Sequence, residues 1–382
     1  MRSVNIAGYV LRLGMAVLIS VAAYYATEFF ALRSWNTDES LIVKVMEIGH
    51  ETPREAEEGV PFRVADVELM VRVMTGEQKG NLFSIVAMQA RDIGPELRRG
   101  RSYVLIADVF EDGSVQYSIA DAFRVPFVVS MIVLGGAGLV VFAGRAGAMA
   151  LLGLGLSIIC LLWGFVPLAA RGITPVPLAF LAVFFISLVT VFCVVHRKQA
   201  RIVALLGTLG GIGGAFVIGY SVVELWQLSG LAGEGASLLA TTMPWIDIRG
   251  LLLASVLIAA VGAVLDVGIS ITAAMSELVE YDAAIKLSRL WSAGIRVGSE
   301  ILGSMINTLI LAYLGTSLPI AILISNAGPD FLGLMNDPYV GQEIVQSLAG
   351  TAGLVLTIPV TAAIFVLQEK FSRWKKLGNR QV

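Results

Sequence analysis

One carboxylate stands where a carboxylate is costly. Residues 250–276 form an apolar run, and inside it the chain reads Gly262-Ala-Val-Leu-Asp266-Val-Gly-Ile-Ser270, with Glu277 just beyond its end. If that run crosses a membrane as a helix, about ten residues separate Asp266 from the inner end, on the order of 15 Å. A charged aspartate at such depth costs on the order of 2.5–3.5 kcal/mol, so it should face the bundle interior, a wet cavity or a partner. A carboxyl group held there can take up and release a proton or coordinate a cation. Spacings of three and four put Gly262, Asp266, Ser270, Ala273 and Glu277 on one small, polar stripe of an otherwise apolar helix.

The next apolar run, 301–323, offers a matching face. Gly303, Ser304, Asn307 and Thr308 are small or hydrogen-bonding, and counting residues places Asn307 at a depth comparable to that of Asp266. Asp266, Asn307, Ser270, Glu277 and Thr308 are therefore the transport or proton-coupling candidates. Gly262, Gly303 and Ser304 are packing candidates, because small and hydroxyl residues let membrane helices approach closely; Ser270 admits that reading too. Between the two runs, 280–300 alternates charges (Glu280, Asp282, Lys286, Arg289, Arg296, Glu300) with Ile285, Leu287, Leu290, Trp291 and Ile295. It reads as an amphipathic connector lying along the inner interface.

Other chemistries find little material. No Gly-x-x-x-x-Gly-Lys-Ser/Thr phosphate cradle occurs, which excludes ATP hydrolysis by that route. The two histidines, His50 and His196, form no His-x-x-x-His zinc pair and supply little for a Ser/His/Asp triad. Cys160 and Cys193 lie in apolar runs and read as small buried hydrophobes. The cluster Gly207, Gly210, Gly211, Gly213 and Gly214 fits close helix contact and is no nucleotide fingerprint. A membrane enzyme built on Asp266, Glu277 and Asn307 would lack both nucleophile and metal set. No catalytic residue, metal, cofactor or nucleic-acid partner is expected.

The elements that must position the stripe are legible in the composition. Of 382 residues, 57% are hydrophobic and only 15% charged, against about 25% charged in soluble domains; the mean hydropathy is +0.81. The net charge of −2 says little, because the charges cluster between apolar runs. Runs of about 20 apolar residues, the length that crosses hydrocarbon, cover 7–30, 126–143, 148–170, 173–195, 202–222, 250–276, 301–323 and 347–367. The first reads as an uncleaved anchor rather than a signal peptide, since Arg12 lies within it and no small-x-small cleavage site follows. With the amino terminus inside, cytoplasmic segments collect 14 Lys and Arg, and the short outer loops collect only Arg171 and Arg249. That asymmetry places both termini in the cytoplasm. The fold class is a polytopic α-helical membrane protein of about eight transmembrane helices, with the lipid bilayer as its first partner.

Residues 31–125 differ in texture. Short β-branched or alternating runs (Leu41–Val45, Val67–Val73, Ser84–Met88, Tyr103–Val109) are separated by turn signals such as Thr75-Gly76, Lys79-Gly80-Asn81, Gly94-Pro95 and Asp112-Gly113. They predict one extracytoplasmic β-rich domain, a small barrel or sandwich. The acidic stretch Glu51 to Glu58 reads as a solvated loop, because it lacks metal-ligand spacing. The organisation is an anchor (1–30), the β-rich domain (31–125), helices 2–5 (126–222), an outer loop (223–249), helices 6–8 with the connector (250–368) and a basic tail (369–382).

An ordered series of motifs then carries a likeness. Gly76-Glu-Gln-Lys-Gly80 and Asp121-Ala-Phe-Arg124 are followed by Gly262–Val267 with Ser270 and Glu277. After these come Gly303-Ser-Met-Ile-Asn307-Thr-Leu-Ile-Leu-Ala-Tyr313, Glu343-Ile-Val-Gln-Ser-Leu-Ala-Gly350 and Pro359. With these the chain resembles the YibE/F-like bacterial membrane proteins over nearly its whole length. That family commonly has an Asp where this chain has Gly100-Arg101, so a role for that Asp does not carry over. The resemblance implies a bacterial cytoplasmic-membrane protein. A fainter likeness, at the level of fold analogy, is to SecD/SecF and other permeases of the resistance-nodulation-division type, where an Asp-bearing, small-residue helix also precedes a connector and an Asn/Thr-rich helix.

The expected function is an ion-gradient-driven secondary transporter or permease subunit, with Asp266 titrating or holding the ion and Asn307 and Ser270 lining the pathway. The alternative is a non-transporting sensor or assembly scaffold whose exported domain binds a partner. Permeases often pair two similar halves, and 126–222 shows no repeat of 250–367, so a homodimer or a partner subunit would supply the second half.

Overall fold

The computed structural model describes residues 6–35, 40–54, 63–76, 79–109, 115–232, 234–326, 333 and 336–378. The chain divides into two compact units, Met1–Gly147 and Ala148–Val382.

The first unit holds helix α1 (Ile6–Ser34), five strands and the start of α2 (Val125–Ile159). The strands are β1 (Ser40–Pro53), β2 (Val64–Val73), β3 (Leu82–Ala90), β4 (Ser102–Val109) and β5 (Val115–Ala122). They close into a barrel of order β1-β2-β3-β5-β4, antiparallel throughout except for the β3–β5 pair, the pattern of a small OB-type barrel. Of the barrel or sandwich expected over 31–125, the structure shows the barrel. Its fifth strand, Val115–Ala122, went unread because Gln116, Ser118 and Asp121 dilute the β-branched signal.

Alternation decides the register. In β2, Ala65, Val67, Leu69, Val71 and Val73 are buried, whereas Glu68, Met70 and Arg72 face out. They meet Val43, Val45, Ala87, Leu105 and Ile119 in the core. Tyr103 fills the same core and pins the β3–β4 loop: its hydroxyl donates to Glu96 O (2.8 Å) and accepts from Arg98 N (2.8 Å). Arginine–carboxylate pairs stud the outside, Arg54–Asp66 (3.1 Å), Arg63–Asp92 (2.7 Å) and Arg91–Glu51. Glu51 therefore belongs to β1 and an ion pair rather than to the acidic loop expected at Glu51 to Glu58; residues 55–58 lie outside the described residues. Beside the barrel, Ser20 Oγ of α1 donates to Ser130 O of α2 at 2.7 Å.

Two helical segments meet within α2 at Gly144, whose φ of 57° and ψ of −128° no helix contains. A positive φ suits glycine, which has no β-carbon to clash. The helix continues through a π turn (Cys160–Phe165) and α3 (Val166–Ala170).

The second unit contains α4 (Pro175–Val194), α5 (Lys198–Leu225), α6 (Glu234–Thr242), α7 (Ile248–Tyr281), α8 (Leu287–Thr316), α9 (Leu318–Asn326) and α10 (Pro338–Gly378). Among the described residues, seven helical stretches are long and apolar enough to cross a membrane, and Val125–Ala170 is one stretch of 46 residues. Large apolar side chains such as Leu181, Phe192, Leu206 and Leu311 lie exposed on the helices, which suits a hydrocarbon exterior and not water. Charges gather at helix ends: Arg249 of α7 pairs with Glu224 of α5 (2.7 Å), and at the other end Arg197 pairs with Glu280.

The glycine cluster of α5 is a contact surface. Gly207, Gly210, Gly211 and Gly214 face Thr361, Val360, Thr357 and Leu356 of α10, while Gly213 faces open space. Glycine lets two backbones approach where any side chain would hold them apart. The connector expected over 280–300 differs from the structure. Only residues 282–286 separate α7 from α8, and the remainder is the base of α8 itself. Its amphipathic face is spent on packing, with Leu290, Ala293, Gly294 and Gly298 buried and Arg289, Arg296 and Glu300 exposed. The loop expected over 223–249 carries the short helix α6.

Candidate functional site

Helix α7 is the centre of the second unit. α4, α5, α8 and α10 all pack against it, and fifteen of its residues are buried. Gly268 meets Thr208 of α5, Val264 meets Gly211 of α5 and Gly353 of α10, and Val256 meets Gly219. One stripe stays open. Gly262, Asp266, Ser270, Ala273 and Glu277, the residues that helical spacing groups together, are all exposed.

The register of α7 against its neighbours gives the level of Asp266. Val264 opposite Gly211 and Val256 opposite Gly219 place residue 266 level with about residue 209, near the middle of α5. Its carboxylate makes no hydrogen bond or ion pair among the described residues. A mid-helix carboxylate thus lies on the single uncovered face of an otherwise enclosed helix, not turned into the packed core.

The α8 candidates lie on an open face as well. Gly303, Ser304, Asn307 and Thr308 are exposed. Ser304 Oγ and Thr308 Oγ1 donate to carbonyls of their own helix, Ile301 O (2.9 Å) and Ser304 O (3.0 Å). Met275 contacts Gly294, and Ile271 contacts Gly298. The antiparallel register of those pairs puts Gly303 level with Asp266, and Asn307 level with Gly262. Asn307 is therefore displaced from Asp266 by about one helical turn, ~6 Å.

Glu277 occupies a different setting. It sits 3.8 Å from Arg197 at the end of α7, beside the tighter Arg197–Glu280 pair. The Glu280 carboxylate, accepting from the Arg197 guanidinium, pushes that guanidinium further up in pKa. Glu277 belongs to this exposed ionic cluster and lies about three turns from Asp266.

Buried hydroxyls are the feature that sequence reasoning passed over. Ser187, Thr208, Thr272, Thr357 and Thr361 all lie in the packed interior. Thr272 and Thr357 donate to Gly268 O (2.7 Å) and Gly353 O (2.6 Å), whereas the Ser187, Thr208 and Thr361 hydroxyls have no partner among the described residues. The available signal was the glycine opposite each of three: Gly268 faces Thr208, Gly211 faces Thr357 and Gly207 faces Thr361. No group of three or more His, Cys, Asp or Glu residues that could hold a metal occurs among the described residues.

Residues 131–370, more than half of the chain, match the YibE/F-like protein family. The matched segment includes Asp266, Asn307 and the motifs at 262–267, 303–313 and 343–350, while the motifs at 76–80 and 121–124 lie outside it. No curated protein and no solved structure matches the chain.

Proposed function

The chain belongs to the YibE/F-like family, and from that premise we propose that it is an ion-gradient-driven secondary transporter, or a permease subunit, of the bacterial cytoplasmic membrane. The observation that carries the reading is Asp266: a carboxylate at mid-helix level that, among the described residues, has no partner and lies on the one open face of the central helix. Lipid is a poor neighbour for it, and a hydrated path or a second protein surface is a good one. Ser270 continues the same face, and Gly303 and Ser304 stand at its level on α8, which supports a polar lane along the seam of α7 and α8.

In this reading the 46-residue stretch Val125–Ala170 crosses twice with its reversal at Gly144, giving eight crossings and both termini in the cytoplasm. The barrel then lies outside, where it receives or gates the solute. The ion pairs at the two ends of α5 and α7 bound the apolar band.

The test compares metabolite and ion profiles of cells with the wild-type chain, without it, and with Asp266→Asn. A solute whose gradient depends on the chain, and loses its pH dependence in the variant, supports the proposal. Full transport with unchanged pH dependence in Asp266→Asn sinks it.

One observation favours a second reading. The open stripes of α7 and α8 also suit a partner's helix, as a non-transporting sensor or assembly scaffold requires. Crosslinking in native membranes separates the two: a discrete homodimer supports the transporter, and a stable complex with an unrelated enzyme supports the scaffold.

A further inference from the structure

A cavity of 440 Å³ lies between the C-terminal end of α8, helix α9 and the N-terminal end of α10, away from Asp266. Its wall is largely apolar, with Ile310 and Leu348 among its residues, and Tyr313, Ser317, Tyr339 and Glu343 provide the polar groups. The volume falls within the roughly 300–1,000 Å³ of small-molecule sites.

Among the described residues no basic side chain lines this cavity, and the sequence has no Lys, Arg or His from 297 to 369. Arg249, at the N-terminal end of α7, is already held by Glu224. Glu343 Oε2 and Ser317 Oγ are both closed off from water, and among the described residues neither meets hydrogen-bond geometry, although the two side chains are neighbours. A carboxyl in an apolar enclosure either takes up a proton or is met by a counter-charge, and only a cationic guest favours its ionised form. A neutral acyl chain would fill the space and leave Glu343 unpaired, and an anion would be repelled.

We propose that this cavity binds amphiphilic organic cations. The apolar body of the guest packs against Ile310 and Leu348, and its positive centre meets Glu343, in a wall that also carries Tyr313 and Tyr339, rings of a kind that attract cations. The site goes beyond the transport reading and does not rest on it, because binding at equilibrium needs no coupling through Asp266.

The test uses the full chain in nanodiscs of zwitterionic lipid, with empty nanodiscs subtracted. Equilibrium binding of tetraphenylphosphonium is compared with that of neutral triphenylphosphine oxide. Saturable binding of the cation, at least about tenfold tighter than the neutral probe, is expected. Glu343→Gln lowers the cation's affinity by a similar factor and leaves the neutral probe unchanged. Ala321→Trp, which narrows the cavity without touching the carboxyl, weakens the cation as well. Equal affinity for the two probes in the wild type overturns the proposal, as does full cation affinity in Glu343→Gln. Should Glu343→Gln fail to fold, the wild-type preference and Ala321→Trp decide the matter.

Discussion

Met275 of α7 sits against Gly294 of α8, with its sulfur 2.7 Å from where a β-carbon on residue 294 would stand. One turn further along α8, Ile271 meets Gly298 in the same way, at 3.0 Å. Carried along the two helices, the register of these contacts sets the levels of the residues beyond them. Asn307, which residue counting sets at a depth comparable to that of Asp266, falls level with Gly262, about one turn away.

That register predicts a crosslinking pattern. In a chain with Cys160 and Cys193 replaced by Ala, the pair Gly262→Cys with Asn307→Cys should bridge with a short bifunctional reagent faster than Asp266→Cys with Asn307→Cys. The difference in axial level is ~6 Å, well beyond the slack of a short reagent. Faster bridging from position 266 would show that the helices pair about one turn away from this register.

Two glycines in one cluster should respond oppositely. A β-carbon at Gly211 would meet Thr357 Oγ1, the Gly353 carbonyl oxygen (2.9 Å) and Val264 (2.9 Å), so α5 must move away from both α7 and α10. Gly211→Ala is expected to cost about 1–3 kcal/mol, the usual range for overpacking. Gly213, two residues along, faces open space, and Gly213→Ala should change stability by less than about 1 kcal/mol. Thermal unfolding of the two variants in detergent, followed by tryptophan fluorescence, checks the contrast. Equal melting temperatures would mean that the helices do not pack closely here.

The sequence carried the first-order architecture because the signals behind it are local. Apolar runs located the long helices up to α7 to within about five residues, whereas α8 begins well before its run and α10 overruns its own at both ends. The alternation of Val67, Leu69, Val71 and Val73 announced a β-rich domain. The stripe from Gly262 to Glu277 was equally legible, since spacing alone decides which residues share a helical face. Three things were not local. The continuity of α8 through 287–300 depends on Gly294 and Gly298 docking onto α7 and α10, which no amphipathic pattern reveals. The direction in which Asp266 faces depends on which four helices enclose α7. The cavity at Glu343 is assembled from three helices, and in the sequence its carboxylate is only the polar start of an apolar run.

The barrel offers a titration with a definite sign. Arg63 donates to Asp92 from Nη2 (2.7 Å) and Nε (3.2 Å) and through its backbone N–H (2.9 Å). Chiefly through the side-chain hydrogen bond, Arg63 lowers the Asp92 carboxyl to about 2. The folded value lies below the ordinary one of about 3.9. The contact therefore stabilises the barrel above that value, and its contribution is lost as pH falls towards 2. Both partners are exposed, so salt should weaken the effect. Side-chain carboxyl NMR of aspartate-labelled protein is expected to show a midpoint near 2 that rises towards the ordinary range in Arg63→Gln, the backbone N–H of residue 63 still holding it somewhat low. A midpoint unmoved by that substitution would mean Arg63 is not its cause.

Tyr103 makes the most local demand on the barrel. The ring is buried in the barrel core, and its hydroxyl is the hydrogen-bond partner of both Glu96 O and Arg98 N. Tyr103→Phe keeps the ring and removes only the oxygen, so core packing stays while one carbonyl and one N–H lose their partner. The cost should be about 1–2 kcal/mol, and it should be confined to the loop over 91–101. Hydrogen exchange separates that outcome from a general loosening, because the Arg98 amide loses protection while the Leu105 amide of β4 keeps its own. Unchanged protection at Arg98 would show that the loop is held by something other than this hydroxyl.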